Sequence, residues 1–171
     1  MQAILRLFWN ICLLRVGPEA VPAASSLLLL TIFSYLLLDI GWTALVVNAS
    51  LFLCFFSVVT IWLVSQLLIV LLLNFKNLRN RITATLIAWN GSDLILSVFM
   101  IAVQSVMLLL KNGNPIAPIL ELVFMLMLVW DALVKGFIFH RALNVNQIQG
   151  TFLAVAVNVF LFWLDRQLIS N

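Results

Sequence analysis

Four polar side chains lie inside apolar stretches of this chain, where their chemistry would be unusual. Asp131 and Lys135 stand four residues apart in "VWDALVKGF", and Asn90 and Asp93 lie in "WNGSD". A spacing of four places Asp131 and Lys135 on one face of a helix. Two carboxylates, one amine and one amide could relay a proton or an ion, or could form a polar pocket for a headgroup or substrate.

The same residues also allow a purely structural interpretation. Lys135 can neutralise Asp131, Asp93 can share the ammonium group, and Asn90 or Ser92 can supply hydrogen bonds. Such a buried latch would fix the packing of two helices, since polar contacts between helices in lipid typically contribute around 1 kcal/mol. With two acids and one base, however, one carboxylate would remain neutral and titrate.

The helices that carry these groups are predicted from long apolar runs. Of the 171 residues, 65% are hydrophobic and 9% are charged, whereas soluble domains have about 45–50% and about 25%. The mean hydropathy is +1.21, and a transmembrane helix needs about 20 mainly apolar residues. The sequence therefore predicts an all-α bundle of about five transmembrane helices within a single integral membrane domain, residues 1–171. The predicted spans are about 26–47, 50–73, 82–110, 118–139 and 147–164.

Depth within these spans predicts that the charged groups meet. Asp93 lies eleven residues from Ile82, which is about 16 Å at helical rise. Asp131 lies eight residues from Phe139, about 12 Å from the same side of the bundle. We therefore expect the third and fourth spans to hold their polar groups at overlapping depths, in the cytoplasmic half of the membrane.

Residues 1–16 form a separate predicted element. Gln2, Arg6 and Asn10 recur every four residues and make a narrow polar stripe on an otherwise apolar helix. This pattern is typical of an interfacial helix that lies on the cytoplasmic leaflet. The alternative is a half-helix that packs against the spans. Pro18 then ends the helix.

Basic residues predict the orientation of the chain, because Lys and Arg concentrate in cytoplasmic loops. An N-terminus in the cytoplasm and a C-terminus in the periplasm place seven basic residues inside and two, Lys111 and Arg166, outside. The inner group includes a patch that could bind anionic lipid headgroups. Alternatively, these residues only set the orientation of the chain in the membrane. This patch consists of Arg6, Arg15, Lys76, Arg79 and Arg81, and the other two inner residues are Lys135 and Arg141.

Other classes of site find little support in the sequence. Cys12 and Cys54 are far apart and His140 is the only histidine, so we predict no metal site and no cofactor. No motif of a known catalytic type is visible, so we identify no catalytic residues and favour a protein that is not an enzyme. The basic residues form no run that indicates nucleic-acid binding.

The segment before the first span resembles the opening of small inner-membrane proteins of proteobacteria. Those proteins tend to carry Arg-x-Gly-Pro, then Leu-Pro and a Ser. Here "LLRVGPEAVPAAS" matches at Arg15, Gly17, Pro18, Pro22 and Ser25, with Val21 where Leu is usual. The later "VWDALVKGFIFHRAL" is similar to a segment of the same proteins, and the five-span plan resembles the Yip family in architecture. The resemblance implies a bacterial inner membrane and supplies no activity or catalytic residues.

Three functions are compatible with these features. The leading expectation is a structural or accessory role, in which the protein binds another membrane protein. The expected partners are membrane lipids and either another membrane protein or, in a homo-oligomer, a second copy of this chain. The alternative is a proton-coupled transporter or ion pathway that uses Asp93, Asp131 and Lys135. The third is a membrane-embedded enzyme that acts on lipid.

Overall fold

A computed structural model describes residues 2–46, 50–110 and 116–170, and the side chains up to residue 168. The chain is 89% helical and has no strand among the described residues, which confirms the all-α prediction. The helices are α1 (Gln2–Cys12), α2 (Ser25–Val46), α3 (Leu51–Phe75), α4 (Ile82–Leu109), α5 (Ala117–Leu143) and α6 (Gln147–Ser170).

Helices α2 to α6 are the five in the described ranges that are long and apolar enough to cross a membrane. Helices α5 and α6 run beyond the predicted ends of their spans, to Leu143 and Ser170. An apolar pattern marks the part of a helix that suits lipid, and the helix itself continues through polar residues at its ends. Val47, the predicted end of the first span, and Lys111, one of the two outer basic residues, lie outside the described residues.

One end of the bundle carries Lys76, Arg79, Arg81 and Arg141, and we call it the basic end. The guanidinium of Arg81, at the start of α4, donates to the carbonyl oxygens of Arg141 and Ala142, at 3.1 and 3.3 Å, and to Asn144 Oδ1 at 2.9 Å. These contacts satisfy carbonyl groups that the C-terminus of α5 leaves without a helical partner. Arg141 also lies 3.8 Å from Glu19, which brings the segment before α2 to this end.

Helix α1 packs against the middle of α4. The ring of Phe8 covers Gly91 so closely that a β-carbon at this glycine would overlap it. The rings of Trp9 and Phe99 have centroids 5.9 Å apart. Positions 91 to 99 lie nine to seventeen residues into α4, or about 14–26 Å along its axis. The sequence leaves two arrangements of α1 open: an interfacial helix on the leaflet, or a half-helix packed against the spans. The contacts of Phe8 and Trp9 with α4 match the second arrangement.

The C-terminal end of α1 is also buried. The indole Nε1 of Trp130, on α5, donates to the carbonyl oxygen of Cys12 at 3.0 Å. Burial raises the pKa of the Cys12 thiol to about 12, so the thiol is protonated at neutral pH and packs as a small apolar group. Trp130 therefore links the end of α1 to α5, and the Cys12 thiol, 4.0 Å from the carbonyl oxygen of Ser92, links it to α4.

Two glycines allow α5 and α6 to approach closely. A β-carbon at Gly150 would overlap the carbonyl oxygen of Gly136 and lie 2.8 Å from the backbone nitrogen of His140. A β-carbon at Gly136 would lie 2.6 Å from Thr151 Cα. Small residues at such crossings let helix backbones pack directly on each other. This contact sets the register between α5 and α6, and with it the position of the polar residues farther along α6.

Candidate functional site: a charged cluster and an adjoining cavity

The ammonium group of Lys135 lies between two carboxylates. Its Nζ is 2.9 Å from Asp131 Oδ2, one turn earlier on α5, and 3.2 Å from Asp93 Oδ1 on α4. Only 11–13% of the surface of these three side chains is exposed. The contacts follow the predicted spacing and depth, and they give a buried group with two acids and one base.

Helix α6 completes the cluster through Asn158. Its Nδ2 donates to Asp131 Oδ2 at 3.1 Å, and its Oδ1 lies 3.5 Å from Lys135 Nζ. Lys135 Nζ also lies 5.2 Å from the centre of the Trp89 ring, where the face of the indole attracts a cation. We call Asp93, Asp131, Lys135 and Asn158 the charged cluster. Asn158 lies inside the apolar run of α6, and its position in the sequence does not predict its partner.

Asn90, which was predicted to join the charged cluster, belongs to a separate network with α3. Its Nδ2 donates to Gln66 Oε1 at 3.0 Å and to the carbonyl oxygen of Leu86 at 2.7 Å. Its Oδ1 accepts from Trp62 Nε1 at 2.9 Å. Asn90 and Asp93 are three residues apart and lie on the same side of α4, about 60° apart around its axis. This offset is enough for Asn90 to meet α3 while Asp93 meets α5. Ser92, the other predicted donor, bonds to the carbonyl oxygen of Trp89.

A substitution that removes the indole N–H of Trp62 measures how much this second network stabilises the fold. Trp62→Phe leaves the Oδ1 of the fully buried Asn90 without the indole donor. We expect a loss of about 1–3 kcal/mol in the free energy of unfolding, the cost of a buried polar atom without a partner. Unfolding by SDS in mixed micelles, followed by circular dichroism, would measure it. Trp163→Phe is the matched control, since the Trp163 side chain is 56% exposed. Equal losses in the two variants would contradict the assignment.

A cavity of about 430 Å³ opens between α2, α3, α4 and α6, toward the end of the bundle opposite the basic end. We call it the outer cavity. It contains two carboxylates, those of Asp39 and Asp165, and the rings of Trp42 and Trp62. Asp39 lies within a predicted span, but Asp165 falls one residue past the predicted end of the last one. The pattern of spans therefore does not predict that these two acids share a cavity.

The five predicted patch residues do not all meet. Arg79 and Arg81 form the 3₁₀ turn that precedes α4, at the basic end. Arg6 instead lines a shallow groove with Ile95 and Val98, in the second half of α4. The reason is that α1 begins beside the middle of α4 and runs toward the basic end, which the chain reaches only near Glu19.

Comparison of the chain with protein-family models, with curated proteins and with solved structures finds no match.

Proposed function

We propose that this chain is a multi-pass protein of the bacterial inner membrane. In this proposal the charged cluster holds a proton or a small monovalent cation and passes it across the membrane. The observation that carries the proposal is the position of Lys135 between Asp93 and Asp131. If both acids are ionised, the group has a net charge of −1 in a place where an uncompensated charge is costly. A bound proton or cation removes that charge, and intramembrane acids of this kind are typical of relays.

The neighbouring polar groups support a route to the cluster. Asp39 lies fourteen residues after Ser25 on α2, or about 21 Å from the basic end. Asn158 lies eleven residues after Gln147 on α6, or about 16 Å from it. The inner part of the outer cavity and the charged cluster are therefore close in depth.

The proposed orientation places the basic end in the cytoplasm. The connection from α3 to α4, the connection from α5 to α6 and the segment before α2 all lie at this end. Excess Lys and Arg favour the cytoplasmic side. The segment before α2 then faces the cytoplasm, α1 extends from it along α4 into the bundle, and α6 ends on the periplasmic side.

Proton flux tests the proposal. Protein reconstituted into vesicles with an interior pH dye should admit protons under an imposed gradient. We expect Asp93→Asn and Asp131→Asn to lower the rate about a hundredfold, since a positioned proton carrier contributes about 10²–10⁴. Glu121→Gln is the matched control, because Glu121 is exposed and outside the cluster. Flux that is unchanged in both Asp variants, or that is no faster than in empty vesicles, would contradict the proposal.

An accessory role is the second proposal, and one observation favours it. Helix α2 buries only Leu27 and Thr31. It exposes Leu29, Phe33 and Leu37 along one face, so this face is available to contact another membrane protein. Extraction in a mild detergent followed by mass spectrometry tests this role. A stoichiometric partner would support it, whereas a lone monomer or a homo-oligomer would favour transport.

A further inference from the structure

We propose that the outer cavity binds an organic cation, a molecule with an ammonium group on an apolar body. This proposal goes beyond the function of the charged cluster and does not depend on flux through it. The cavity volume of about 430 Å³ falls within the range of about 300–1,000 Å³ typical of small-molecule sites. Its walls come from four helices, so a ligand in it would contact most of the bundle.

The charge in the cavity selects a cation. Asp39 Oδ2 accepts a hydrogen bond from the Tyr35 hydroxyl at 3.3 Å, and Asp165 Oδ1 accepts one from the Ser57 hydroxyl at 3.1 Å. Neither carboxylate has a Lys or Arg nitrogen within 4.0 Å in the part of the chain that the structure describes. A ligand with a positive charge would supply the compensation that the protein side chains do not.

The aromatic rings select an organic cation over a metal ion. Trp42, Trp62 and Tyr35 line the same cavity as the two acids, and aromatic faces attract ammonium groups, above all quaternary ones. A hard metal ion needs six or more oxygen ligands. In residues 2–46, 50–110 and 116–170, no three Asp, Glu, His or Cys side chains come together as metal ligands would. Gln104 adds an amide to the wall and can bond to a polar part of the ligand.

Calorimetric titration tests the proposal with benzyltrimethylammonium as the probe and the full chain in an uncharged detergent. We expect saturable binding that weakens about ten- to hundredfold in Asp39→Asn and in Asp165→Asn, since each loses a charged contact. Thr43→Trp should abolish binding by filling the cavity without changing any charge. Choline should displace the probe, and its uncharged analogue 3,3-dimethylbutanol should not.

Two variants serve as controls. Glu121→Gln removes an exposed acid, and Asp93→Asn removes an acid of the charged cluster. We expect Glu121→Gln to bind the probe as the unchanged protein does and Asp93→Asn to retain saturable binding, so that a failure of proton flux remains distinct from a failure of this site. Three results would overturn the proposal: no saturable binding, equal displacement by 3,3-dimethylbutanol, or full affinity in both cavity Asp variants. If those variants do not remain monodisperse, full affinity in Thr43→Trp would overturn it.

Discussion

Lys135→Met is expected to destabilise the protein by about 3–5 kcal/mol, the cost of breaking a buried ion pair by removing one partner. Methionine matches the length of the lysine stem but leaves the carboxylates of Asp93 and Asp131 facing each other without a cation. Of these two acids, the Asn158 amide donates to Asp131 only. The free energy of unfolding in SDS-containing mixed micelles would show the loss.

A compensating variant separates lost charge balance from lost packing. Combining Lys135→Met with Asp93→Asn and Asp131→Asn removes all three charges and keeps the shapes of the side chains. Replacing a buried ionic group by neutral residues is often nearly neutral for stability, so the triple variant should recover most of the loss. Strictly additive losses would show that the three residues do not act as one unit.

Gly150→Ala is expected to cost about 1–3 kcal/mol, which is typical of overpacking in a close-packed interior. The added methyl group would overlap the carbonyl oxygen of Gly136 and approach the backbone of His140. Backbone atoms cannot turn aside as a flexible side chain can. Helices α5 and α6 must therefore move apart, and the contact between Asn158 and Asp131 would lengthen.

Gly41→Ala is the matched control for this change. Gly41 lies within α2, and a β-carbon there would meet nothing within 4 Å. Alanine in a helix interior is favoured over glycine by about 0.5–1 kcal/mol, so this variant should be unchanged or slightly more stable. Thermal unfolding of the two variants in detergent gives the comparison. A Gly150→Ala protein as stable as Gly41→Ala would show that the α5–α6 crossing is looser than described.

The part of the fold that follows from local pattern could be predicted from the sequence. Long apolar runs fix the five candidate spans, because their length reflects the thickness of the hydrocarbon core. The pair Asp131 and Lys135 follows from helix periodicity alone. Asp93 can be placed beside this pair because its depth along α4, like that of Asp131 along α5, follows from the number of residues to the end of the helix.

The sequence does not predict which helices pack against each other, or through which faces. A helix that is apolar all round, such as α3, does not reveal which face packs inward. For this reason the sequence groups Asn90 with Asp93, although an offset of about 60° around α4 is enough to bring Asn90 to Trp62. The outer cavity was missed for the same reason, since Asp39 and Asp165 lie on helices that are far apart in the chain and whose contact the sequence does not encode locally.

The position of α1 has a consequence for biogenesis. Cys12 meets Ser92 across 80 residues of chain and Trp130 across 118, so α1 leaves the ribosome well before its docking surface has been synthesised. An amphipathic helix of this kind rests at a lipid interface while it has no protein partner. Docking of α1 onto α4 and α5 would then be a late step of assembly, and the two arrangements expected from its sequence would be successive stages of one maturation.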